Sequence, residues 1–589
     1  MIEEMDRELT KVIEDFDRAM NFEALRLANE TSTHSWFQSV DRYPEGFGIE
    51  RNDRERVEQE RVEQERVELR RLKPVETGYN RTFRCMDGTR QSLLNHIVDW
   101  VTNKTSHENI QQSNTYWFYG SPGIGKTSLA HSICASLHER NLLAGTFFCR
   151  RDDPNLSDPL NILPTLIHKL AIIIPPFRTI VAKHLRDDPN LTPQSMKGSV
   201  FLDFICSLPC PPEHTLVFVI DALDECGDHR SRPGILKVLT SAAAQVPWLK
   251  IIITSRTEVD IQHFFDTLTQ ASYISYDLAT DQDASSDLRT FARSQFGLVG
   301  SLWHLDARWP EESDFDKVIS RANGLFIFIK TLVRSLERCK DPEESLKDAL
   351  KDSAGTGLES LYDLYSSILK AQIVDNNVEF QSMIGVLLTT SPYRALCDET
   401  IAELAGVKPN LVKRWVDALS SLLYRDEAAN RGVRVRHLSV YDFFLSDRCD
   451  YQVDVRDVDV QLGIVCLQVM TTQLRFNICK LDDSRLANVD ISDLSSRVKE
   501  NVSDPLQYSC LHWLNHLGFP PATRDQRMLV LESLKEFFEG LYPLFWVEVL
   551  SIMEAVSIGV PSIRRLLSWV RVSTSTCCYF AFQENSTSL

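Results

Sequence analysis

The chain has 589 residues, 64 of them Lys or Arg and 82 Asp or Glu, for a net charge of -18. That length allows several large cores, and the acidic balance argues against a nucleic-acid surface as the main business of the chain. The 14 cysteines are scattered without a Cys-x-x-Cys pair, the start Met1-Ile-Glu-Glu-Met-Asp6 is too charged for a secretory leader, and the most apolar run, Gly324 to Val333, carries Lys330. The expectation is a cytoplasmic chain with reduced thiols and no transmembrane segment.

In chain order, Leu9, Val12, Ile13, Phe16, Met20, Ala24 and Leu27 fall on one stripe, predicting an amphipathic helix over residues 5–28 that needs a partner surface. From Arg51 a five-residue unit repeats through Glu55-Arg-Val-Glu-Gln and Glu60-Arg-Val-Glu-Gln, with Glu58 to Arg61 and Glu63 to Arg66 spaced for helical ion pairs. Five residues turn a helix by about 140° beyond a full turn, so Val57, Val62 and Val67 form no seam. A solvated helical spacer is expected, ended by Pro74. A further amphipathic helix carries Leu93, Leu94, Ile97, Val98 and Val101.

Next comes Tyr116-Trp-Phe-Tyr-Gly120-Ser121-Pro122-Gly123-Ile124-Gly125-Lys126-Thr127-Ser128, an aromatic strand running into Gly-x-x-x-x-Gly-Lys-Thr. Glycines let the backbone wrap an anion with its N–H groups, and the following helix aims its positive dipole end at the same phosphates. Lys126 is placed for the β and γ phosphates, and the Thr127 hydroxyl for Mg²⁺. Short apolar strands then alternate with helices: Thr146 to Cys149, Leu216 to Ile220, Leu249 to Thr254 and Tyr273 to Tyr276 as strands, Leu160 to Ile173 and Ile235 to Val246 as helices. That alternation predicts a mostly parallel sheet covered on both faces.

The strand Leu216-Val-Phe-Val-Ile220 ends on Asp221-Ala-Leu-Asp224-Glu225. A carboxylate at the C-terminal edge of such a strand stands where ligands bind in open α/β sheets, making Asp221 the Mg²⁺ partner and Asp224 or Glu225 the group that orients attacking water. Arg256 follows the next strand and is a candidate γ-phosphate sensor. Beyond Asp281 the pattern is mainly helical. Thr400 to Leu419, with Gly406 between two helical halves, reads as a helix-turn-helix, and Gly432 to Arg436 as a β-wing. Lys408, Lys413 and Arg414 are too few to make a nucleic-acid footprint in an acidic chain. No Asn-Lys-x-Asp motif reads guanine.

Gly120-Ser-Pro-Gly-Ile-Gly-Lys-Thr127, Val219-Ile-Asp221-Ala-Leu-Asp-Glu225 and Thr254-Ser-Arg256 resemble the NACHT NTPases of the signal-transducing STAND class, above all fungal members, as does the preceding Cys85-Met-Asp-Gly-Thr-Arg90. The resemblance spans roughly Cys85 to Trp569. It implies an α/β P-loop NTPase (81–300) followed by helical (301–370), winged-helix (371–450) and helical (451–572) domains, to which the sequence pattern adds a helical region at 1–50, a spacer at 51–80 and a tail at 573–589. It further implies an ATP/ADP switch with Mg²⁺ and slow ATP hydrolysis, which self-associates when ATP-bound and signals to a protein partner that the sequence does not identify.

Arg436-His437-Leu-Ser-Val-Tyr-Asp442-Phe-Phe-Leu445 resembles the winged-helix motif whose histidine contacts the ADP β-phosphate, which gives that role to His437. The family's acid after the histidine is Leu438 here, and Asn323-Gly-Leu-Phe326 lacks the proline of the family's Gly-x-Pro element. Relatives commonly carry a C-terminal repeat array. None is readable here, so a truncated form with weaker autoinhibition is expected. Small-molecule phosphotransfer and winged-helix nucleic-acid regulation are the alternatives.

Overall fold

The computed structural model describes residues 51–566, apart from 103–112, 197, 209–213, 270–271, 307, 352–354, 374–377, 428–430, 483–486, 518–522, 557, 560–562 and 565. The helix expected over 5–28 and the tail 573–589 lie outside the described residues.

Five parallel strands make one sheet: β1 (Thr115–Tyr119), β2 (Leu143–Phe148), β3 (Leu216–Asp221), β4 (Leu249–Ser255) and β5 (Ile274–Asp277), in the order β2-β3-β4-β1-β5. The runs Leu216 to Ile220 and Ile251 to Ile253 are buried on both faces, as continuous apolar strands must be when helices cover the sheet twice. On one face Tyr116, Phe118, Val217, Val219 and Ile252 join the core that continues into the downstream helices. Trp117, Phe218, Ile220, Ile251 and Ile253 alternate onto the other. Because β1, β3 and β4 lie in register, with Tyr119 level with Ser255 and Ile220 level with Ile253, their carboxyl ends deliver the phosphate loop, Asp221 and Arg256 to one edge.

The expected spacer differs from the observed one. The helix Arg51–Leu69 forms, but its C-terminal half packs on the helix Pro175–Asp187. Glu65 is only 3% exposed and accepts from Arg178 Nε at 2.9 Å and Thr179 Oγ1 at 2.9 Å, while Leu69 and Leu72 are buried and Val67 faces outward. The five-residue repeat turns a glutamate inward at this point, so docking runs through a polar cluster that a search for apolar periodicity passes over.

Downstream of β5 the chain is helical, beginning with Ala284–Trp303, Glu312–Ala322, Phe326–Leu336 and Leu358–Gln372. Helices Asp398–Ala405 and Pro409–Ala418 follow, separated by Gly406 in the left-handed region at φ 67°. An antiparallel hairpin joins β6 (Leu423–Asp426) to β7 (Gly432–Val435) and leads directly into the helix Leu438–Leu445. Val412, Trp415 and Val416 are buried, whereas Lys408, Lys413 and Arg414 are exposed. Helices Val455–Gln473, Asp504–His516, Arg524–Glu539 and Tyr542–Ile552 close the described chain. Inside them His516 Nδ1 lies 2.7 Å from Asp459 Oδ1, and its Nε2 lies 2.8 Å from the Tyr508 hydroxyl. Among the described residues no helix is long and apolar enough to cross a membrane, and the described cysteines are free thiols.

Candidate nucleotide site

The phosphate loop leaves β1 and enters the helix Lys126–Glu139 through Gly125, which caps it at φ 98°. Gly123, at φ 83°, has a second reason to lack a side chain: a Cβ there would lie 2.1 Å from Ile327 Cγ2 and 3.8 Å from His437 Cε1. The loop crest is thus in direct contact with segments 200 and 300 residues further on. Ile327 N donates to Gly123 O at 3.3 Å, and Phe326 lies against Gly125. Ser121 is exposed, Pro122 and Ser128 are half-buried, and Ile124 points into the core.

Lys126 is buried, with its ammonium donating to Gly120 O at 2.7 Å and Ser121 O at 3.0 Å, inside the curve of the loop. Burial lowers its pKa to about 8, against the carboxylates of Asp224, Asp221 and Glu225. A desolvated cation held by backbone carbonyls under a glycine loop suits an anionic ligand, which would restore the charge balance that burial removed.

Asp221 sits at the end of β3, buried, and its Oδ1 accepts from Thr254 Oγ1 at 2.5 Å. Burial pushes its carboxyl up to about 6, against hydrogen bonds from Thr254 and Thr127. The Thr127 hydroxyl and the Asp221 carboxylate therefore stand side by side. Two hard oxygen donors beside a phosphate cradle fit Mg²⁺, which takes one or two protein ligands and completes its shell with phosphate and water. The same Thr254 oxygen accepts from Ala222 N at 2.9 Å, holding the turn after Asp221 at φ 55°.

Asp224 and Glu225 leave that turn in different directions. Asp224 is buried and accepts from Arg256 N at 3.0 Å, with Arg256 Nε 3.3 Å from its other oxygen. Glu225 accepts from Arg151 N at 3.3 Å, and burial together with the neighbouring Asp224 charge raises its carboxyl to about 8. Asp224 is thus committed to Arg256, whereas Glu225 has no ion-pair partner among the described residues and, once ionised, is the freer of the two to take a proton.

Arg256 spans two regions. One side of its guanidinium meets Asp224, and Nη1 meets Asp442 Oδ2 at 2.7 Å on the helix Leu438–Leu445. His437 caps that same helix, with Nδ1 accepting from Ser439 N at 3.1 Å, and Ser439 Oγ also meets the Tyr365 hydroxyl at 2.8 Å. Accepting at Nδ1 assigns the neutral ring's proton to Nε2. Burial, then Arg256, Lys126 and Lys330, drive the imidazole pKa down to about 3. Three cations around a neutral N–H donor make a field favourable to phosphate.

The structure brings together every site residue expected from the sequence. It also adds residues to which the sequence reading gave no role. Arg90 is buried in the left-handed region, pairs with Asp281, donates to Ile124 O at 3.3 Å and stands 5.8 Å from the Phe326 ring, tying the loop to the following helices. Arg151 stands 5.7 Å over the Tyr441 ring, and Arg434 pairs with Asp152 at 2.7 Å and Asp426 at 2.9 Å. Nothing local in the sequence marks these pairs.

A family model described as "Nephrocystin 3, N-terminal" matches residues 88–256. The vegetative incompatibility protein HET-E-1 of Podospora anserina is 24% identical over 523 residues, covering 82% of this chain and 37% of that protein. The chain thus spans well under half the length of this curated relative. Among solved structures, the Walker-type ATPase paby2304 of Pyrococcus abyssi aligns with a TM-score of 0.29 and 15% identity over 61% of this chain and 99% of that one. A RuvB mutant of Thermotoga maritima aligns with a TM-score of 0.24 and 12% identity over 59% and 91%. The family match, the fungal relative and the parallel-sheet phosphate-loop fold are together consistent with a fungal NACHT-domain NTPase.

Proposed function

We propose that the chain is a STAND-type switch that binds ATP or ADP with Mg²⁺, hydrolyses ATP slowly, and self-associates when the ATP form opens. Supporting this most is the position of Arg256: the residue best placed to sense a γ-phosphate is shared between Asp224 in the NTPase and Asp442 in the winged-helix region. A group held in that way reports on both elements at once.

In this reading Lys126 and the loop amides hold the phosphates, while Thr127 and Asp221 hold the metal. Bound Mg²⁺ supplies charge neutralisation on the phosphate oxygens. Glu225 accepts the proton of the attacking water once its carboxyl, raised to about 8 by burial, has ionised, and Asp224 keeps Arg256 aimed across the site. His437 Nε2–H donates to the terminal phosphate of the resting nucleotide, so that ADP holds the winged-helix region down. ATP requires Arg256 to leave Asp442, which loosens that region and exposes surface for self-association. A switch responds only as far as a ligand distinguishes its two states.

The test is the nucleotide released on denaturing the purified protein, together with its mass in solution. ADP on a monomer, with assembly on exchange to ATP and Mg²⁺, supports the switch. Rapid steady-state transfer to a small phosphoryl acceptor by a monomer that never assembles would overturn it.

A further inference from the structure

The loop that leaves β2 is held from two sides. Its first step stays beside β3, with Cys149 N donating to Asp221 O at 3.0 Å. Arg150 to Asp153 then form a four-residue turn, closed by Asp153 N donating to Arg150 O at 3.3 Å. The two central residues of that turn meet different parts of the molecule. Arg151 N donates to Glu225 Oε2 at 3.3 Å, toward the carboxylate turn after β3. Asp152 meets the β6–β7 hairpin: its carboxylate lies 2.7 Å from Arg434 Nη1, and its carbonyl oxygen accepts from the same nitrogen.

Arg434 is buried, and its Nε donates to Asp426 Oδ2 at 2.9 Å across the hairpin, which fixes the guanidinium plane at the end that does not reach Asp152. A planar fork engaged at both ends has little freedom left. Arg150 completes the grip on the Asp152 carboxylate from within the turn, its Nε and Nη2 each 3.1 Å from one oxygen. The Arg151 guanidinium lies 5.7 Å over the Tyr441 ring, on the helix Leu438–Leu445 that follows the hairpin. Peptide planes are stiff, so displacing Asp152 also moves the Arg151 amide one residue away.

We propose that Arg434 is a positioning residue for ATP hydrolysis: reaching from the β6–β7 hairpin, it holds Asp152 so that the Arg151 amide fixes the Glu225 carboxylate, and the chain cleaves ATP only while that hairpin is seated on the β2 loop. The inference rests on the reading of Glu225 as the acceptor of the water's proton. Lifting the hairpin and the helix after it withdraws Arg434 and Tyr441 from the loop together, so the opened form keeps its ATP. Asp221 and Asp224 on its own turn, Cys149 and Arg151 from the β2 loop, Lys126 from the phosphate loop and Arg256 after β4 lie around the Glu225 carboxyl. Burial and then Asp224 raise this carboxyl, and the Arg151 amide followed by its charge opposes them. Losing the amide therefore both frees the carboxylate to turn and delays its ionisation to higher pH.

The test uses the full chain with ATP bound and hydrolysis started by Mg²⁺, followed as a single turnover so that ADP release does not enter. Arg434→Gln should lower the single-turnover rate about tenfold or more, the scale on which small displacements of a catalytic group act, and move its rise with pH to higher pH, while ATP affinity stays unchanged. Arg434→Lys keeps a cation opposite Asp152 and should recover most of the rate, with melting temperatures reporting on the fold. Asp152→Asn keeps the side chain's shape and should lower the rate as well, so the same contact is read even where Arg434→Gln does not fold. In a Glu225→Gln background Arg434→Gln should change nothing further, because it acts through that carboxylate. Wild-type single-turnover rates in Arg434→Gln or Asp152→Asn, with faster ADP release, would make Arg434 a latch between the two regions and overturn the proposal while leaving Glu225 as the base. An additive loss in the double variant would overturn it as well. Undiminished hydrolysis in Glu225→Gln alone would remove both this inference and the reading beneath it.

Discussion

Arg256 Nη1 and Asp442 Oδ2 lie 2.7 Å apart although 186 residues separate them, and the same guanidinium also meets Asp224. One half-buried arginine thereby joins the carboxylate turn after β3 to the helix capped by His437. Removing Asp442 leaves Arg256 with Asp224 alone, at a cost below the roughly 3 to 5 kcal/mol of breaking a fully buried pair, because Asp224 still compensates part of the charge. Asp442→Asn is expected to accelerate ADP release about tenfold and to favour assembly with ATP. Fluorescent-nucleotide exchange and light scattering check both, and exchange at the wild-type rate would sever this contact from the proposed resting state.

Gly123→Ala tests the approach of Ile327 to the loop crest. The new methyl meets Ile327 Cγ2 at 2.1 Å on a backbone at φ 83°, so both the contact and the conformation are penalised. The expected destabilisation is about 1 to 3 kcal/mol, with nucleotide affinity reduced as well. Adding Ile327→Ala should recover the steric part alone. If the double variant melts below both single ones, the contact is not what limits this position.

Lys126→Ala should abolish nucleotide binding and remove the stabilisation that ligand confers, about 2.7 kcal/mol at one hundred times the dissociation constant. The nucleotide-free proteins should differ far less, because the ammonium's own contacts are two backbone carbonyls. Thermal melts with and without ADP separate these effects. Equal ADP-dependent shifts in both proteins would exclude Lys126 as the phosphate ligand.

Asp221 and Glu225 hold protons in the folded chain up to about pH 6 and about pH 8, well above their ordinary carboxylate values. The folded state therefore binds more protons than the unfolded state over that window. Stability from these groups is full at lower pH and is lost as pH rises through 6 and then 8. Glu225→Gln should flatten the upper part of that decline by roughly 1 to 3 kcal/mol between pH 5 and pH 8 in nucleotide-free protein, followed as urea midpoints. In the same variant ATP and Mg²⁺ should still bind while hydrolysis falls. Persistent hydrolysis, with loss only in Asp224→Asn, would move the base to Asp224.

His437→Ala should weaken ADP more than ATP, by about ten- to a hundredfold for a charge-assisted bond of roughly 1.5 to 3 kcal/mol. Ser439 would lose the side-chain acceptor that fixes its turn, so melting temperature is measured beside affinity. Equal losses for both nucleotides would leave His437 as a helix cap alone.

The strands and the phosphate loop were legible because their signals are local. The run Leu216 to Ile220 has to be a doubly covered strand, and Gly-x-x-x-x-Gly-Lys-Thr carries its own conformational and chemical requirements within eight residues. The five strands of the parallel sheet lie within three residues of the expected spans at either end, the largest difference being the earlier start of β2, whereas β6 had no expected span. Asp221 was readable for the same reason, as the carboxylate at the end of an apolar strand.

What the tertiary structure alone decided is where the charges end. Asp224 and Glu225 are adjacent in sequence, and nothing in that dipeptide tells which meets Arg256 and which meets the backbone of Arg151. The inward turn of Glu65 onto Arg178 likewise depends on a helix 113 residues away. Hydrophobic periodicity records which face is buried, because burial acts on every residue of that face. An ion pair is one contact between distant side chains, and it leaves no period behind it.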